Sequence, residues 1–281
     1  MKNLGYYNGE IGPIEEMKVS MTDRAFYFGD GVYDAVMCRN NIPYLLCEHI
    51  ERFYRNCERL AIVIPKSKKE LYECICSLAK MVEADEKFIY FHASRGSALR
   101  AHSSSPTIGN ICIMITPQKI GDIKLKMSAT TVPDTRYQLC DIKTLNLLPG
   151  VLAAQYAERL GTEEAIFHRN GIVTEGSHCN VSIISNGKIV TAPANCYILP
   201  GVTRAHLIAE AQKIGVMVEE REYSLDELKS ADEILITSSS KLLRGVDLLD
   251  GASVGGKNPE LLEALQNRMY NNYLNATKKL S

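Results

Sequence analysis

Residues 140–146 read CDIKTLN and place one lysine, Lys143, just ahead of an apolar segment. That segment runs from about Asn146 to Leu160 and carries leucine or tyrosine at every fourth position, which predicts a helix. By position alone, Lys143 is most simply a solvated loop charge, because lysine side chains are rarely buried. The role of this lysine therefore depends on motifs found elsewhere in the chain.

The composition is that of an ordinary globular protein. Of the 281 residues, 46% are hydrophobic and 23% are charged, and 32 basic and 33 acidic residues are spread along the chain. This balance favours neither a nucleic acid nor a membrane as partner, and no apolar run approaches a membrane span. The nine cysteines include no C-x-x-C pair, so we expect reduced thiols and no metal site. The N-terminus lacks the apolar run of a secretory signal, and we expect a cytoplasmic protein.

Short apolar runs alternate with helical patterns along the whole chain, which predicts a two-domain α/β (α+β) fold. A polar stretch after Pro117 precedes a strand-like run near Ile123, and we place the domain boundary there. This gives an N-terminal α/β domain over residues 1–118 and a C-terminal α/β domain, carrying the lysine, over residues 119–281. The clearest strands are predicted at residues 35–38, 88–93, 111–116, 165–168, 181–184 and 234–237.

Four polar segments could carry chemistry, and each has an ordinary structural interpretation as well. The turn at 200–203, with Thr203 as the expected N-cap, could present the N–H groups of a helix start to a phosphate, although Pro-Gly turns before helices are common. Hydroxyls at 237–240 suit a phosphate or a turn equally well. Glu175 is expected in an exposed hairpin turn. The residues Arg-Ala-His at 100–102 could be an anion trap or a solvated loop tip.

Five separated motifs nevertheless occur together in an order typical of one enzyme family. They closely resemble those of the class IV aminotransferases, which are fold-type IV enzymes that use pyridoxal 5'-phosphate (PLP). Arg95-Gly96 followed by residues 100–102 further resembles the D-amino acid aminotransferase branch. The resemblance extends from about Tyr7 to Val246 and rests on DRAFYFGDGVYD (23–34), EHIER (48–52), CDIKTLN (140–146), TEGS (174–177) and LPGVTR (199–204).

The resemblance implies a role for each matched residue. Lys143 would hold PLP covalently as a Schiff base and move a proton between the substrate α-carbon and the cofactor, and Glu175 would face the pyridine nitrogen. The family also implies a homodimer that acts on small amino acids and 2-oxo acids. The phosphate would be bound by Arg52, the backbone of Val202 and Thr203, the Thr203 hydroxyl and Ser239, and the substrate carboxylate by Tyr33, Arg100 and His102.

Some positions depart from the D-amino acid aminotransferase pattern and leave alternatives open. His178 and Cys179 stand where small hydroxyl residues are expected, and Pro149 and Pro200 replace more permissive residues. His178 could narrow the site, although a neutral substitution is the simpler interpretation. The alternative functions are a branched-chain L-amino acid aminotransferase, an aminodeoxychorismate lyase that eliminates pyruvate with the same lysine, and a non-enzymatic relative of the family.

Overall fold

A computed structural model describes residues 1–103 and 108–279, which form two compact units. Unit 1 contains residues 1–120, 142–146 and the chain from Leu274 onwards, and unit 2 contains residues 121–141 and 147–273. The chain therefore first leaves unit 1 between Ile120 and Gly121, and the five residues around Lys143 lie with unit 1. The described residues include no helix that is long and apolar enough to cross a membrane.

Within the described residues, unit 1 is built on one six-stranded antiparallel sheet with the order β2-β1-β6-β5-β3-β4. Buried and less buried residues alternate along β5, so one face of this sheet packs against apolar side chains of α2 and α3. The elements are β1 (Leu4–Tyr7), β2 (Glu10–Gly12), a 3-10 turn (Ile14–Glu16), α1 (Arg24–Phe28), β3 (Gly31–Arg39), β4 (Ile42–Pro43), α2 (Leu46–Arg59), α3 (Lys68–Ala79), β5 (Glu86–Ser94) and β6 (Ile111–Pro117).

Unit 2 is built on a mixed sheet whose described strands follow the order β12-β11-β10-β13-β14-β7-β8-β9, with β15 paired to β14. The central strands β10 and β13 are buried on both faces, and neighbouring apolar residues therefore stand in the middle of each strand. The elements are β7 (Met127–Pro133), α4 (Leu148–Arg159), β8 (Glu164–Arg169), β9 (Ile172–Gly176), β10 (Asn180–Ser185), β11 (Lys188–Thr191), α5 (Val202–Lys213), β12 (Val218–Glu220), α6 (Leu225–Ser230), β13 (Glu233–Ser238), β14 (Leu242–Leu249), β15 (Ala252–Ser253) and α7 (Pro259–Ala276).

The mixed α/β fold predicted from the sequence is confirmed, and three local predictions are wrong. Strand β7 begins at Met127 and not near Ile123, because Asp122 closes a turn through bonds to the next residues. Helix α5 has Gly201 as its N-cap, so Thr203 lies inside the first turn. Glu175 lies within β9 with only 5% of its surface exposed, and not in an exposed hairpin turn.

Candidate active site

The segment around Lys143 is fixed by backbone pairing with the start of β3. The Tyr33 N–H donates to the Lys143 carbonyl at 2.9 Å, and the Leu145 N–H donates to the Gly31 carbonyl at 3.0 Å. A Cβ at Gly31 would lie 2.5 Å from the Ala93 carbonyl oxygen and 2.7 Å from a Leu145 methyl group, so only glycine allows this close approach. The backbone of the lysine is thus held against the sheet of unit 1.

The Lys143 side chain lies over an aromatic row on the sheet face that α2 and α3 leave uncovered. Its Nζ is 4.3 Å from the centre of the Tyr33 ring, a distance typical of a cation–π contact. Tyr33 stacks on Tyr90 with ring centres 5.5 Å apart, and Tyr90 meets the edge of His92 at 5.6 Å. Burial raises the pKa of Tyr90 and lowers that of His92 to about 4, so both rings are neutral at pH 7. The structure therefore brings Lys143 and Tyr33 together.

Arg52 lies buried on α2 and pairs with a fully buried carboxylate on β3. Its Nε and Nη2 donate to the two oxygens of Asp34 at 2.8 and 2.7 Å. The Nδ1 of His49 lies 2.7 Å from Asp34 Oδ1. Burial alone would raise the pKa of Asp34, but Arg52 and His49 hold it well below its usual range. Arg52 is thereby locked in orientation, while its assignment to a phosphate stays a prediction.

Arg100 and His102 are exposed in the loop after β5, and both contact the same aromatic ring. The Arg100 guanidinium carbon lies 5.0 Å from the centre of the Phe28 ring, and the His102 ring centre lies 5.1 Å from it. The structure thus brings these two predicted carboxylate ligands together on Phe28, at the end of α1. Neither side chain has a carboxylate partner among the contacts that the structure describes in this loop.

Glu175 is buried in unit 2 and has a partner on each carboxylate oxygen. Its Oε1 accepts a hydrogen bond from Arg136 Nη1. Its Oε2 accepts from the Asn180 side-chain amide and from the Leu199 N–H, both at 2.9 Å. Hydrogen bonds to a cation and to N–H groups favour the ionised carboxylate, which can then accept a further hydrogen bond.

Arg136 is a residue that the sequence analysis missed. Its Nε and Nη2 bind the two oxygens of Asp134 at 2.9 Å each, and its guanidinium carbon lies 4.6 Å from the centre of the Phe167 ring. Arg169 binds the same aspartate at 3.2 Å. Asp-x-Arg in a polar loop is also common in surface turns, so no local signal marks Arg136 as the partner of Glu175.

The N-terminus of α5 lies beside the Asn180 side chain that binds Glu175. Gly201 makes no side-chain cap for the helix, which leaves the N–H groups of Val202 and Thr203 in an uncapped first turn. A Cβ on Gly201 would lie 2.0 Å from the Asn180 side-chain oxygen, so this approach also requires glycine. Asn180 therefore links the buried carboxylate to the positive end of a helix.

A strand end completes this polar group in unit 2. Thr237 on β13 pairs with Asn180 on β10, and its buried hydroxyl has no hydrogen-bond partner among the described residues. Ser239 follows in the turn between β13 and β14. Unit 2 thus gathers Glu175, the start of α5 and hydroxyl groups at the end of β13 around one asparagine.

His178 belongs to a closed ring of hydrogen bonds on the turn after Glu175. Its Nδ1 lies 2.8 Å from the Ser177 hydroxyl, and its Nε2 lies 3.3 Å from Lys241 Nζ. Ser177 and Lys241 both bind the fully buried Glu164, at 2.5 and 3.1 Å. Burial would raise the pKa of Glu164, yet His178 and Lys241 lower it. His178 thus connects two turns, and Cys179 beside it is buried.

Comparison with known proteins identifies the family. The sequence matches the profile described as Amino-transferase class IV over residues 31–249. The chain is a class IV aminotransferase. It is 36% identical over 266 residues to the D-alanine aminotransferase of Staphylococcus aureus (strain COL), an alignment that covers 93% of this chain and 94% of that protein. The predicted family and the predicted aminotransferase are therefore confirmed.

Solved structures of enzymes with other activities share the fold of this class IV aminotransferase. A branched-chain aminotransferase from Thermoproteus uzoniensis is 21% identical with a TM-score of 0.89, covering 98% of this chain and 96% of that one. A putative 4-amino-4-deoxychorismate lyase from Legionella pneumophila is 23% identical with a TM-score of 0.84, covering 92% and 97%. At such low identity these matches show the fold alone.

Proposed function

We propose that this class IV aminotransferase uses PLP to move the amino group of a small D-amino acid, of the D-alanine or D-glutamate type, to a 2-oxo acid such as 2-oxoglutarate. The observation that carries the proposal is the 36% identity to a D-alanine aminotransferase over 93% of the chain. Identity to the branched-chain aminotransferase structure is only 21%. The L-specific alternative therefore has weaker support.

The donors and acceptors of unit 2 fit the two ends of PLP, which supports this cofactor. A ring nitrogen that carries a proton suits Glu175, a buried acceptor, and a phosphate suits the uncapped N-terminus of α5. The unpartnered Thr237 hydroxyl offers a further donor. Within unit 2 we assign the phosphate to Val202, Thr203 and Ser239 and the pyridine nitrogen to Glu175, and Arg52 stays a phosphate ligand implied by the family resemblance.

The residues of the chain have separate tasks in the proposed reaction. When bound, PLP supplies an electron-withdrawing ring that stabilises negative charge at the substrate α-carbon. Lys143 would hold the cofactor through Nζ and, as a free amine, would move the proton at the substrate α-carbon. Glu175 keeps the ring nitrogen protonated by accepting its hydrogen bond. Lys143 is the one residue of the site that we assign to catalysis.

The choice of the D-enantiomer follows, in this proposal, from where the substrate carboxylate is held. Tyr33, Arg100 and His102 would bind the carboxylate, and its position decides which α-hydrogen points at Lys143 Nζ. The contact of Lys143 Nζ with the Tyr33 ring supports this arrangement, because it puts the amine that would transfer the proton next to one of the three proposed carboxylate ligands.

We also propose that the enzyme is a cytoplasmic homodimer without nucleic-acid or membrane partners. Helix α4 supports a second copy as partner, because the apolar side chains predicted on it are largely exposed. Ala153 and Ala157 pack inward against β7 and β8. The outward residues, with exposed fractions between 43% and 67%, are Leu148, Val151, Leu152, Tyr156 and Leu160.

The proposed function is tested by the absorbance of the purified protein with bound PLP during addition of D-alanine, L-alanine and L-leucine in turn. We expect D-alanine alone to bleach the visible band, and 2-oxoglutarate to restore it with release of D-glutamate. Lys143→Ala should show neither change, since it lacks the amine that holds PLP and moves the proton. Sedimentation of the same sample measures the dimer.

Each alternative gives a different result in this experiment. Bleaching by L-leucine alone would identify a branched-chain L-amino acid aminotransferase. Release of pyruvate from aminodeoxychorismate, without any amine transfer, would identify the lyase. An absorbance spectrum that does not change on addition of any of the amino acids would indicate a non-enzymatic relative of the family.

A further inference from the structure

A buried arginine at the start of α1 is bonded to the loop that carries Arg100 and His102. The Arg24 side chain is only 5% exposed, and its Nε binds Asp30 Oδ2 at 2.8 Å. Its Nη1 donates to the Ala101 carbonyl at 2.7 Å, and its Nη2 donates to the His102 carbonyl at 3.3 Å. One guanidinium therefore ties consecutive loop residues to a carboxylate in unit 1.

The same arginine also supports the aromatic ring under the two exposed side chains. Its guanidinium carbon lies 4.9 Å from the centre of the Phe28 ring, the ring that Arg100 and His102 contact. Arg24 thus contacts the loop in two ways. It donates hydrogen bonds to the backbone carbonyls of the loop, and it packs against the Phe28 ring that the loop side chains contact.

We propose that Arg24 is the positioning residue of the substrate-carboxylate loop, and this inference rests on the proposed function. Arg100 and His102 are exposed and rotamer-rich, so holding them for a carboxylate costs conformational entropy unless their backbone is already fixed. Three donors in a rigid fork can satisfy Asp30 and two carbonyls at once, whereas a lysine ammonium on a flexible chain cannot reproduce that geometry. Arg24 therefore sets substrate affinity and selectivity without touching the substrate.

Arg95 provides a matched control for this role. It binds the same carboxylate, with Nε 2.9 Å from Asp30 Oδ2, and it donates to the Ala61 carbonyl at 3.1 Å. Burial would raise the pKa of Asp30, but Arg95 and Arg24 together lower it. A variant of Arg95 disturbs Asp30 as a variant of Arg24 does, while leaving the bonds to Ala101 and His102 in place.

The test compares Arg24→Gln, Arg24→Lys and Arg95→Gln as PLP-loaded enzymes. For Arg24→Gln we expect a KM for D-alanine raised about tenfold or more, a smaller preference for D-alanine over L-alanine and a nearly unchanged kcat. The factor corresponds to the loss of one hydrogen bond between charged and neutral partners, about 1.4 kcal/mol or more. Arg24→Lys should be intermediate, and Arg95→Gln close to the parent enzyme.

A second readout does not depend on activity. Trypsin cleaves after Arg100, and cleavage of a folded loop requires local opening. We expect Arg24→Gln to be cut at the bond between Arg100 and Ala101 about tenfold faster than the parent protein, with Arg95→Gln unchanged, as followed by mass spectrometry. The visible PLP absorbance should stay the same in all variants, since none of them contacts Lys143.

The outcomes separate this inference from the proposed function. If the parent enzyme fails to use D-alanine, the proposed function fails, whereas the proteolysis measurement still tests the anchoring of the loop. If the parent is active and Arg24→Gln keeps its KM and its cleavage rate, the inference is overturned. Equal effects in Arg24→Gln and Arg95→Gln would also overturn it, because they would trace to Asp30 alone.

Discussion

Each unit contains an arginine paired with an aspartate whose side chain is fully buried, and the two pairs serve different groups. In unit 1, Arg52 gives two donors to Asp34, which His49 also contacts. In unit 2, Arg136 gives two donors to Asp134 and extends the third to Glu175. The aspartate orients the arginine in both pairs. Only in unit 2 does the arginine also bind a carboxylate proposed to act on the cofactor.

The comparison shows that the same arrangement, an arginine paired with a buried aspartate, can support either a functional cation or a functional anion. A phosphate needs a cation, so the Arg52 guanidinium would itself be the functional group and Asp34 its support. A pyridine nitrogen needs an anion, so Glu175 would be the functional group and Arg136 its counter-ion. Burying an uncompensated charge is expensive, which explains why each functional charge comes with a partner of opposite sign.

The largest expected effect is on stability, when the arginine of each pair is replaced by methionine. Arg136→Met removes a cation from two buried carboxylates, Glu175 and Asp134, of which Asp134 keeps Arg169, and we expect a loss of about 3–5 kcal/mol in the free energy of unfolding. Arg52→Met removes the cation from one buried carboxylate, Asp34, which keeps its contact with His49, so the loss of stability should be smaller. Urea denaturation of the purified variants measures both values.

Controls for this experiment are available in the same units. Arg55 on α2 and Arg159 on α4 are exposed, so their methionine variants should change stability by less than about 0.5 kcal/mol. If Arg52→Met were as costly as Arg136→Met, the number of carboxylates that depend on each arginine would not explain the difference between the two pairs.

Replacement of Arg52 or Arg136 by lysine should have different effects, because the two arginines have different proposed functions. For Arg136→Lys we expect a rate of amine transfer from D-alanine about ten- to a hundredfold lower, because losing a hydrogen bond to a charged group costs about 1.5–3 kcal/mol. PLP affinity should change little. For Arg52→Lys we expect the reverse, a roughly tenfold weaker PLP affinity with a preserved rate. Single-turnover kinetics and PLP titration give both quantities, and a rate loss confined to Arg52→Lys would contradict the assignment.

The strands that position the site were largely predictable from sequence, because their signal is local. β5, β6, β10 and β13 appear as short apolar runs, and burial of one or both faces selects such runs. The helix after Lys143 was equally visible. Its apolar stripe could not be assigned to core or interface from periodicity, because the same spacing serves either surface.

The site itself was less predictable because its contacts join distant parts of the chain. Glu175 looked like an exposed turn residue, since its buried position depends on Arg136, 39 residues away, and on Asn180. Lys143 looked like a loop charge, since its fixed position depends on pairing with Tyr33, far earlier in the sequence. Only the resemblance of whole motifs to a known family singled out these residues, and Arg136 lies outside every motif.

The smallest expected effect concerns pH, where the two aspartates can be compared directly. The pKa values of Asp34 and Asp134 are both lowered from the ordinary value of 3.8. Burial opposes this shift in both, and the paired arginines outweigh it. A lowered native pKa means that the unfolded chain binds more protons in acid, so this stability is present above about pH 4 and is lost as the pH falls below it.

Replacing either aspartate by asparagine should therefore flatten the dependence of stability on pH. Between pH 5 and pH 3 we expect the free energy of unfolding to fall less steeply in Asp34→Asn and in Asp134→Asn than in the parent protein. The slope is the quantity to compare, since each variant also loses stability at neutral pH by weakening an ion pair. Urea denaturation at several pH values measures it. A slope as steep as that of the parent protein in either variant would mean that its aspartate contributes nothing to acid stability, and the two pairs would then differ in this respect.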